Sequence, residues 1–181
     1  MGANEIGKRI NICGTCGSGK THLARKLSQT LDLPHVELDR LLQRPNWTEC
    51  SLAEFRDLTD IATSGESWIV DGNYDKLEDL IWGRADTIIY FDYPLPFILG
   101  RLWIRTVKRV VIQTKLPGDN TDSFRRQFLS RESILLWAMR SHSAKRQRLL
   151  NLIENPAYFD MTIIRLRSQR ETAALIKKLK P

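Results

Sequence analysis

The sequence predicts an α/β layer fold around a parallel sheet, on three observations. Five short apolar, β-branched runs recur along the chain, and stretches of helical periodicity separate them. Each run is almost continuously apolar, which suits strands covered on both faces by helices. The third observation is size: 181 residues, 42% hydrophobic and 27% charged, describe a globular chain of about one domain.

The elements follow in order. The strands are Arg9–Cys13, His35–Leu38, Ser67–Val70, Thr87–Phe91 and Met161–Leu166. After Lys20, Leu23, Ala24, Leu27 and Leu31 form one helical stripe. That helix stops before Pro34, because proline disfavours helical geometry at the preceding residue. Leu52–Ala62 reads as a helix with Ser51 as N-cap and Glu54 three residues on, a capping-box pattern. Residues 97–115 and about 123–154 read as longer helices, split by the turn-rich Pro117-Gly118-Asp119-Asn120. Gln169–Leu179 forms the last helix. The stretch between strands four and five exceeds a minimal crossover, so it is an insertion into a single domain spanning 1–181.

Composition narrows the function. No apolar run reaches about 18 residues, which argues against a membrane span. Met1–Ile10 lacks the apolar core of a secretory signal, and three cysteines make no disulfide framework, so a cytoplasmic protein is expected. Charge is uneven. Between Phe97 and Leu150 lie 12 Lys/Arg and three acids, an excess of +9, while the remainder carries −2. Such an arm expects a polyanion, either nucleic acid or the phosphates of a small nucleotide, or is simply a solvated helix face.

Directly after the first strand stands Gly14-Thr15-Cys16-Gly17-Ser18-Gly19-Lys20-Thr21, a complete G-x-x-x-x-G-K-[ST] between a strand and a helix. Its glycines let backbone N–H groups turn around a phosphate, and the following helix points its positive end at the anion. Lys20 is assigned to the β/γ-phosphates of ATP and the Thr21 hydroxyl to Mg²⁺. Cys13 and Cys16 form a C-x-x-C, but the phosphate loop occupies the same residues and no second pair offers a zinc site. The histidines His22, His35 and His142 are scattered in sequence, and no G-x-S-x-G elbow exists.

A phosphate loop needs an acid at a neighbouring strand end to help hold the metal. Asp71, ending the third strand, is the first choice. Asp39, ending the second, is placed toward the acceptor, and Asp92, before Tyr93-Pro94, reads as a turn residue. Gly72 follows Asp71 where many ATPase motors carry a water-activating glutamate, and no Asn-Lys-x-Asp guanine motif occurs. A small kinase is the favoured class.

The blocks GTCGSGKTHLARKLS, HVELDRLLQRPNW, SWIVDGNY and TIIYFDYP resemble, over nearly the whole chain, the adenylate-kinase-like proteins known as DNA topology modulation proteins. These group with the small nucleoside and nucleotide kinases of the P-loop NTPase fold. The resemblance implies a three-layer fold with a five-stranded sheet in order 2-3-1-4-5, a substrate-binding helical segment after strand two and an arginine-bearing lid after strand four. It matches Asp71 to the acid of the adenylate-kinase D-G-F-P-R. Asn73-Tyr74 replace the phenylalanine and proline there, and Asp75 stands in place of the monophosphate-gripping arginine, which leaves the acceptor open.

The expected roles are then concrete. Lys20 binds the β/γ-phosphates, and Thr21 and Asp71 hold Mg²⁺, Asp71 directly or through water. Asp39 orients or deprotonates an acceptor hydroxyl, or binds its sugar. Asn73 and Tyr74 belong to the acceptor site, and Trp47 either stacks on an acceptor base or ring or is a core or surface anchor. Arg101, Arg105 and Arg109 share one helix face. They, or Arg125 and Arg126, are candidates to clamp the transferring phosphoryl group. The second reading is a nucleotide-regulated DNA-binding protein gripping phosphates with the basic arm. On the first reading the arm gives only weak, non-specific DNA association.

Overall fold

The computed structural model describes residues 6–112, 115–116, 120–121, 134–155 and 160–179. Its centre is a parallel sheet of β1 (Arg9–Gly14), β2 (His35–Glu37), β3 (Trp68–Asp71), β4 (Thr87–Phe91) and β7 (Thr162–Leu166). The strands lie in the order β2-β3-β1-β4-β7, which is the expected 2-3-1-4-5. β5 (Lys115–Leu116) and β6 (Asn120–Thr121) form a separate antiparallel ribbon inside the insertion.

Strand alternation sorts the core into two layers. Ile10 and Ile12 of β1, Ile69 of β3, and Ile89 and Phe91 of β4 face one way. They pack with Leu23, Ala24 and Leu27 of α1 (Lys20–Leu31), Ile98 and Leu102 of α5 (Leu95–Ile112), and Ala138 of α6 (Ile134–Ile153). Leu175 and Ile176 of α7 (Gln169–Lys178) close that layer. Cys13, Trp68, Val70, Ile88 and Tyr90 face the other way. Leu38 and Leu42 of α2 (Leu38–Leu42), Phe55 of α3 (Leu52–Ala62), and Ile81 and Trp82 of α4 (Glu78–Trp82) cover them. The one polar residue inside β1, Asn11, is buried but satisfied. Its Nδ2 donates to Val70 O at 3.3 Å and its Oδ1 accepts from Trp82 Nε1 at 3.0 Å.

Local signals set several boundaries as read. α3 starts where its cap says: Ser51 Oγ accepts from Glu54 N at 3.1 Å. α1 ends at Leu31 with Asp32 in the left-handed region (φ 53°), ahead of Pro34. Other boundaries differ. β2 stops at Glu37, so Asp39 sits in the first turn of α2 rather than at a strand end. At five residues α2 is too short for its period to show in sequence. α5 ends at Ile112, and Lys115, placed at the end of a helix by the sequence reading, lies in the ribbon. α6 is described from Ile134 on, and residues 122–133 lie outside the described residues. Among the described residues, no helix is long and apolar enough to cross a membrane.

The register puts function on one edge. Glu37 pairs with Asp71, Ile12 with Asp71, and Gly14 with Phe91. The ends of β1, β2, β3 and β4 therefore meet at the carboxyl edge, where open α/β sheets bind ligands.

Candidate active site

The loop from Gly14 to Thr21 joins β1 to α1. Gly17 has φ +84°, and a Cβ there would stand 2.6 Å from Leu102 Cγ, so α5 rests directly on the loop and only glycine fits beneath it. α1 opens on Gly19 with no side-chain cap and no acid in its first turn. Its free N–H groups and positive end therefore face the loop, the arrangement that favours a bound anion. Lys20 Nζ donates to Gly14 O at 2.9 Å and Thr15 O at 3.3 Å, lying across the loop's own backbone. Cys13 belongs to the core under β1, where burial pushes its thiol up to about 12, while Cys16 is half-buried on the loop.

Asp71 lies beside this loop, buried at the end of β3. Its Oδ1 accepts from the Thr21 hydroxyl at 3.3 Å, and Oδ2 shares a 3.0 Å hydrogen bond with His35 Nε2. The structure thus joins the two residues assigned to the metal and adds His35, which sequence reading left among the scattered histidines. His35 opens β2 and pairs with Ile69, two residues before the Glu37–Asp71 pair, and no local feature of the sequence marks its contact with Asp71. Gly72 follows with φ +148°, and a Cβ there would meet Leu38 Cδ1 at 2.7 Å, so glycine lets the chain turn closely over α2. That turn delivers Tyr74, whose hydroxyl donates to Asp39 Oδ1 at 2.6 Å. Burial, then the charge and hydrogen bond of Asp39, hold the Tyr74 phenol protonated well above its ordinary range. The ring of Tyr74 sits edge-on to Phe55 at 5.1 Å. Asn73 is half-buried between Gly72 and Tyr74. Trp47 closes a 3-10 turn, Pro45–Trp47, between α2 and α3.

Two arginines of α5 reach the loop. Arg101 Nη2 lies 3.3 Å from where a Cβ of Gly19 would stand. Arg105 Nη2 donates weakly to Cys16 Sγ at 3.4 Å, and Arg105 Nε is buried with no hydrogen-bond partner among the described residues. Arg109 is on the same helix, Leu95–Ile112. Arg125 and Arg126 lie outside the described residues. α6 contributes residues that sequence reading missed. His142 Nδ1 shares a 3.0 Å hydrogen bond with Thr15 Oγ1, and burial lowers its pKa from the ordinary 6.5, which favours the neutral ring. Lys145 is half-buried within electrostatic reach of Lys20, and burial followed by the raising influence of Asp75 and the opposing Lys20 charge leaves its ammonium below its usual range. His142, Lys145 and Arg146 are spaced i, i+3, i+4, a one-face pattern that the overall charge excess hid.

Asp92 is more than the turn residue expected from Tyr93-Pro94. It is a buried ion-pair centre. Arg146 of α6 donates to it at 2.7 and 3.3 Å, and Arg165 of β7 donates through Nε at 2.8 Å and also through Nη2. Burial raises its pKa, but the hydrogen bonds and charges of the two arginines outweigh burial and hold the carboxyl below its ordinary value. The partners lie 54 and 73 residues away, beyond any local signal.

No protein-family model matches the chain, and no curated protein matches its sequence. Solved structures do match. A gluconokinase from Sinorhizobium meliloti 1021 is 10% identical, with a TM-score of 0.56 over 97% of this chain and 91% of that one. A sugar kinase from Janibacter sp. HTCC2649 is 17% identical, with a TM-score of 0.52 over 95% and 91%. Shikimate kinase from Bacteroides thetaiotaomicron is 16% identical, with a TM-score of 0.51 over 95% and 96%. The chain has the P-loop kinase fold. At these identities the likeness speaks for the fold, and the chemistry rests on the residues above.

Within that fold the loop suits a nucleotide phosphate chain. Among the described residues, Ser18 Oγ and Arg105 Nε are buried without a hydrogen-bond partner, so a hydroxyl and a donor beside the loop can serve a phosphate oxygen. The Thr21 hydroxyl and Asp71 carboxylate, two hard oxygen donors 3.3 Å apart, fit Mg²⁺. That ion takes one or two protein oxygens and completes its shell with phosphates and water.

Proposed function

We propose that the chain is a Mg-ATP-dependent kinase that transfers the γ-phosphoryl group of ATP to a hydroxyl of a small acceptor. The observation that carries this reading is the arrangement around the loop: Lys20 across it, Thr21 and Asp71 paired beside it, and Arg105 leaning on Cys16 with its Nε unpartnered. Lys20 neutralises charge on the β/γ-oxygens, Arg105 and Lys145 accept the charge that spreads on the transferring group, and His142 braces Thr15. Mg²⁺, held by Thr21 and Asp71, supplies charge neutralisation of the phosphates. Asp39, on the acceptor side with Tyr74, orients the attacking hydroxyl and takes its proton. The sequence blocks favour membership of the topology modulation group of adenylate-kinase-like proteins, as a cytoplasmic enzyme.

The alternative, a DNA grip, needs the arm's cations to face outward. Arg105, Arg146 and Arg148 instead hold Cys16, Asp92 and Asp75/Glu78. These partners within the chain support a lid over a nucleotide. The test is transfer of label from γ-labelled ATP, with Mg²⁺, across a panel of nucleosides, nucleotides, sugars and polyols. Labelled product with an acceptor-dependent rate supports the reading. Label released only to water, or not at all, across the panel contradicts it.

A further inference from the structure

On the kinase reading, on which this inference rests, Thr21 and Asp71 hold Mg²⁺. Strand alternation puts His35 and Glu37 of β2 on the same face as Ile69 and Asp71 of β3, since His35 pairs with Ile69 and Glu37 with Asp71. α1 covers that face, and its Thr21 and Arg25 stand one turn apart. Thr21 donates to Asp71 Oδ1 at 3.3 Å, and Arg25 binds Glu37 at 2.7 Å. Strand side chains lean along the strand, and the His35 ring spans the diagonal to Asp71 on the neighbouring strand. Its Nε2 lies 3.0 Å from Asp71 Oδ2. A carboxylate only accepts, so Nε2 carries the proton of this bond. Nδ1 stands 4.0 Å from Glu37 Oε1, beyond hydrogen-bond range, and Glu37 is already held by Arg25 and by Arg40 at 3.0 Å. Among the described residues the ring's hydrogen bond therefore serves Asp71 alone. The two side chains are only 12% and 8% exposed, so water is a poor substitute for this donor.

We infer that His35 is a positioning residue for the metal. By tying Oδ2 it stops rotation of the Asp71 carboxyl group and leaves Oδ1 aimed at Thr21 and the ion. The terminal torsion of a free aspartate is broad, so without this tie the carboxylate has to be ordered when the ion binds. Hydrogen-bond partners of a ligating carboxylate commonly contribute about 10–100-fold to metal affinity. His35 acts through Asp71 and not on the reacting atoms.

The experiment measures binding, so it does not depend on turnover. Mn²⁺ is titrated into protein saturated with a non-hydrolysable ATP analogue, with free Mn²⁺ read by electron paramagnetic resonance. Affinity for the analogue is measured separately in EDTA. His35→Phe keeps a ring without the donor and should weaken Mn²⁺ binding at least about tenfold, while metal-free analogue affinity stays within about twofold of wild type. His35→Gln, whose amide nitrogen can stand where Nε2 does, should bring Mn²⁺ binding back to within about threefold of wild type. Adding His35→Phe to Asp71→Asn should change Mn²⁺ affinity less than about twofold, because the carboxylate through which it acts is already gone. Ring-nitrogen NMR of the wild type, which needs no variant to fold, should show Nε2 protonated. Wild-type Mn²⁺ affinity in folded His35→Phe, no rescue by His35→Gln, or an equal loss of metal-free analogue affinity overturns the inference. So does full additivity with Asp71→Asn, or a neutral ring protonated only at Nδ1. A wild type that binds no Mn²⁺ beside the analogue overturns it together with the metal role of Asp71. Absence of transfer to every acceptor, with the metal affinities as expected, removes the kinase reading and leaves the role of His35 standing.

Discussion

Replacing Asp92 by asparagine should unfasten α6 from the sheet. The carboxylate is 8% exposed and sits between two guanidiniums, Arg146 with its side chain 44% exposed and Arg165 with its side chain 27% exposed. Breaking a buried ion pair costs about 3–5 kcal/mol, whereas an exposed pair contributes less than about 1 kcal/mol. Arg146 counts near the exposed limit and Arg165 nearer the buried one, which gives about 2–3 kcal/mol for the pair of contacts. In a chain this long that corresponds to a fall in Tm of roughly 5–10 °C. The pH dependence has a definite sign. The two arginines hold the carboxyl below its ordinary value of 3.8, so the stabilisation is complete above that value and is lost as pH falls through the lower folded value. Wild type should therefore lose stability over that acid window, and the advantage over Asp92→Asn should shrink there. Thermal and urea denaturation from pH 7 down to about pH 2 measure both effects. A Tm within 1 °C of wild type at neutral pH, or an advantage that grows on acidification, would refute the assignment of Asp92 as the fastening point.

Asp71→Asn should raise the Mg²⁺ concentration needed for half-maximal rate and lower kcat with every acceptor, because it removes charge beside Thr21. Asp39→Asn should act on acceptor kcat/KM by roughly 10²–10³-fold while ATP affinity stays near wild type, and equal losses of ATP affinity in both would contradict the division. Charge reversal at Arg105 and Arg109 should cut turnover by at least about 10²-fold, consistent with loss of a charge-stabilising donor. DNA binding by the wild type should be weak and largely gone at physiological salt, with a log–log slope near −0.9 per phosphate contacted. Tight duplex binding that survives that salt and responds to ATP would favour the alternative reading.

The parts of the fold that were legible in sequence are those fixed by near neighbours. The five strands announce themselves by continuous apolar runs, and β4 matches its run, Thr87–Phe91, end to end. α3 begins at its Ser51–Glu54 capping box because both partners lie within one turn. The phosphate loop is local in the same sense: its glycines, Lys20 and Thr21 fall within eight consecutive residues. The rest is long-range. His35 meets Asp71 across 36 residues, His142 meets Thr15 across 127, and Arg165 meets Asp92 across 73. Nothing in the spacing of these residues encodes their contact, which only the parallel sheet and the return of α6 create. Asp39 shows the same limit in small: read as a strand end, it lies in a helix of five residues, held toward the site by Tyr74.

The central claim is that the loop between β1 and α1 performs Mg-ATP-dependent phosphoryl transfer. Its most direct test is γ-phosphoryl transfer to the best acceptor by Lys20→Ala, measured beside wild type with folding checked by circular dichroism. Lys20 Nζ lies on the loop surface against Gly14 O and Thr15 O, outside the core, so the variant should fold. The account predicts a fall in kcat of at least about 10²-fold, the scale of losing one charge-stabilising donor at a reacting phosphoryl group. A folded Lys20→Ala protein with wild-type kcat would contradict it.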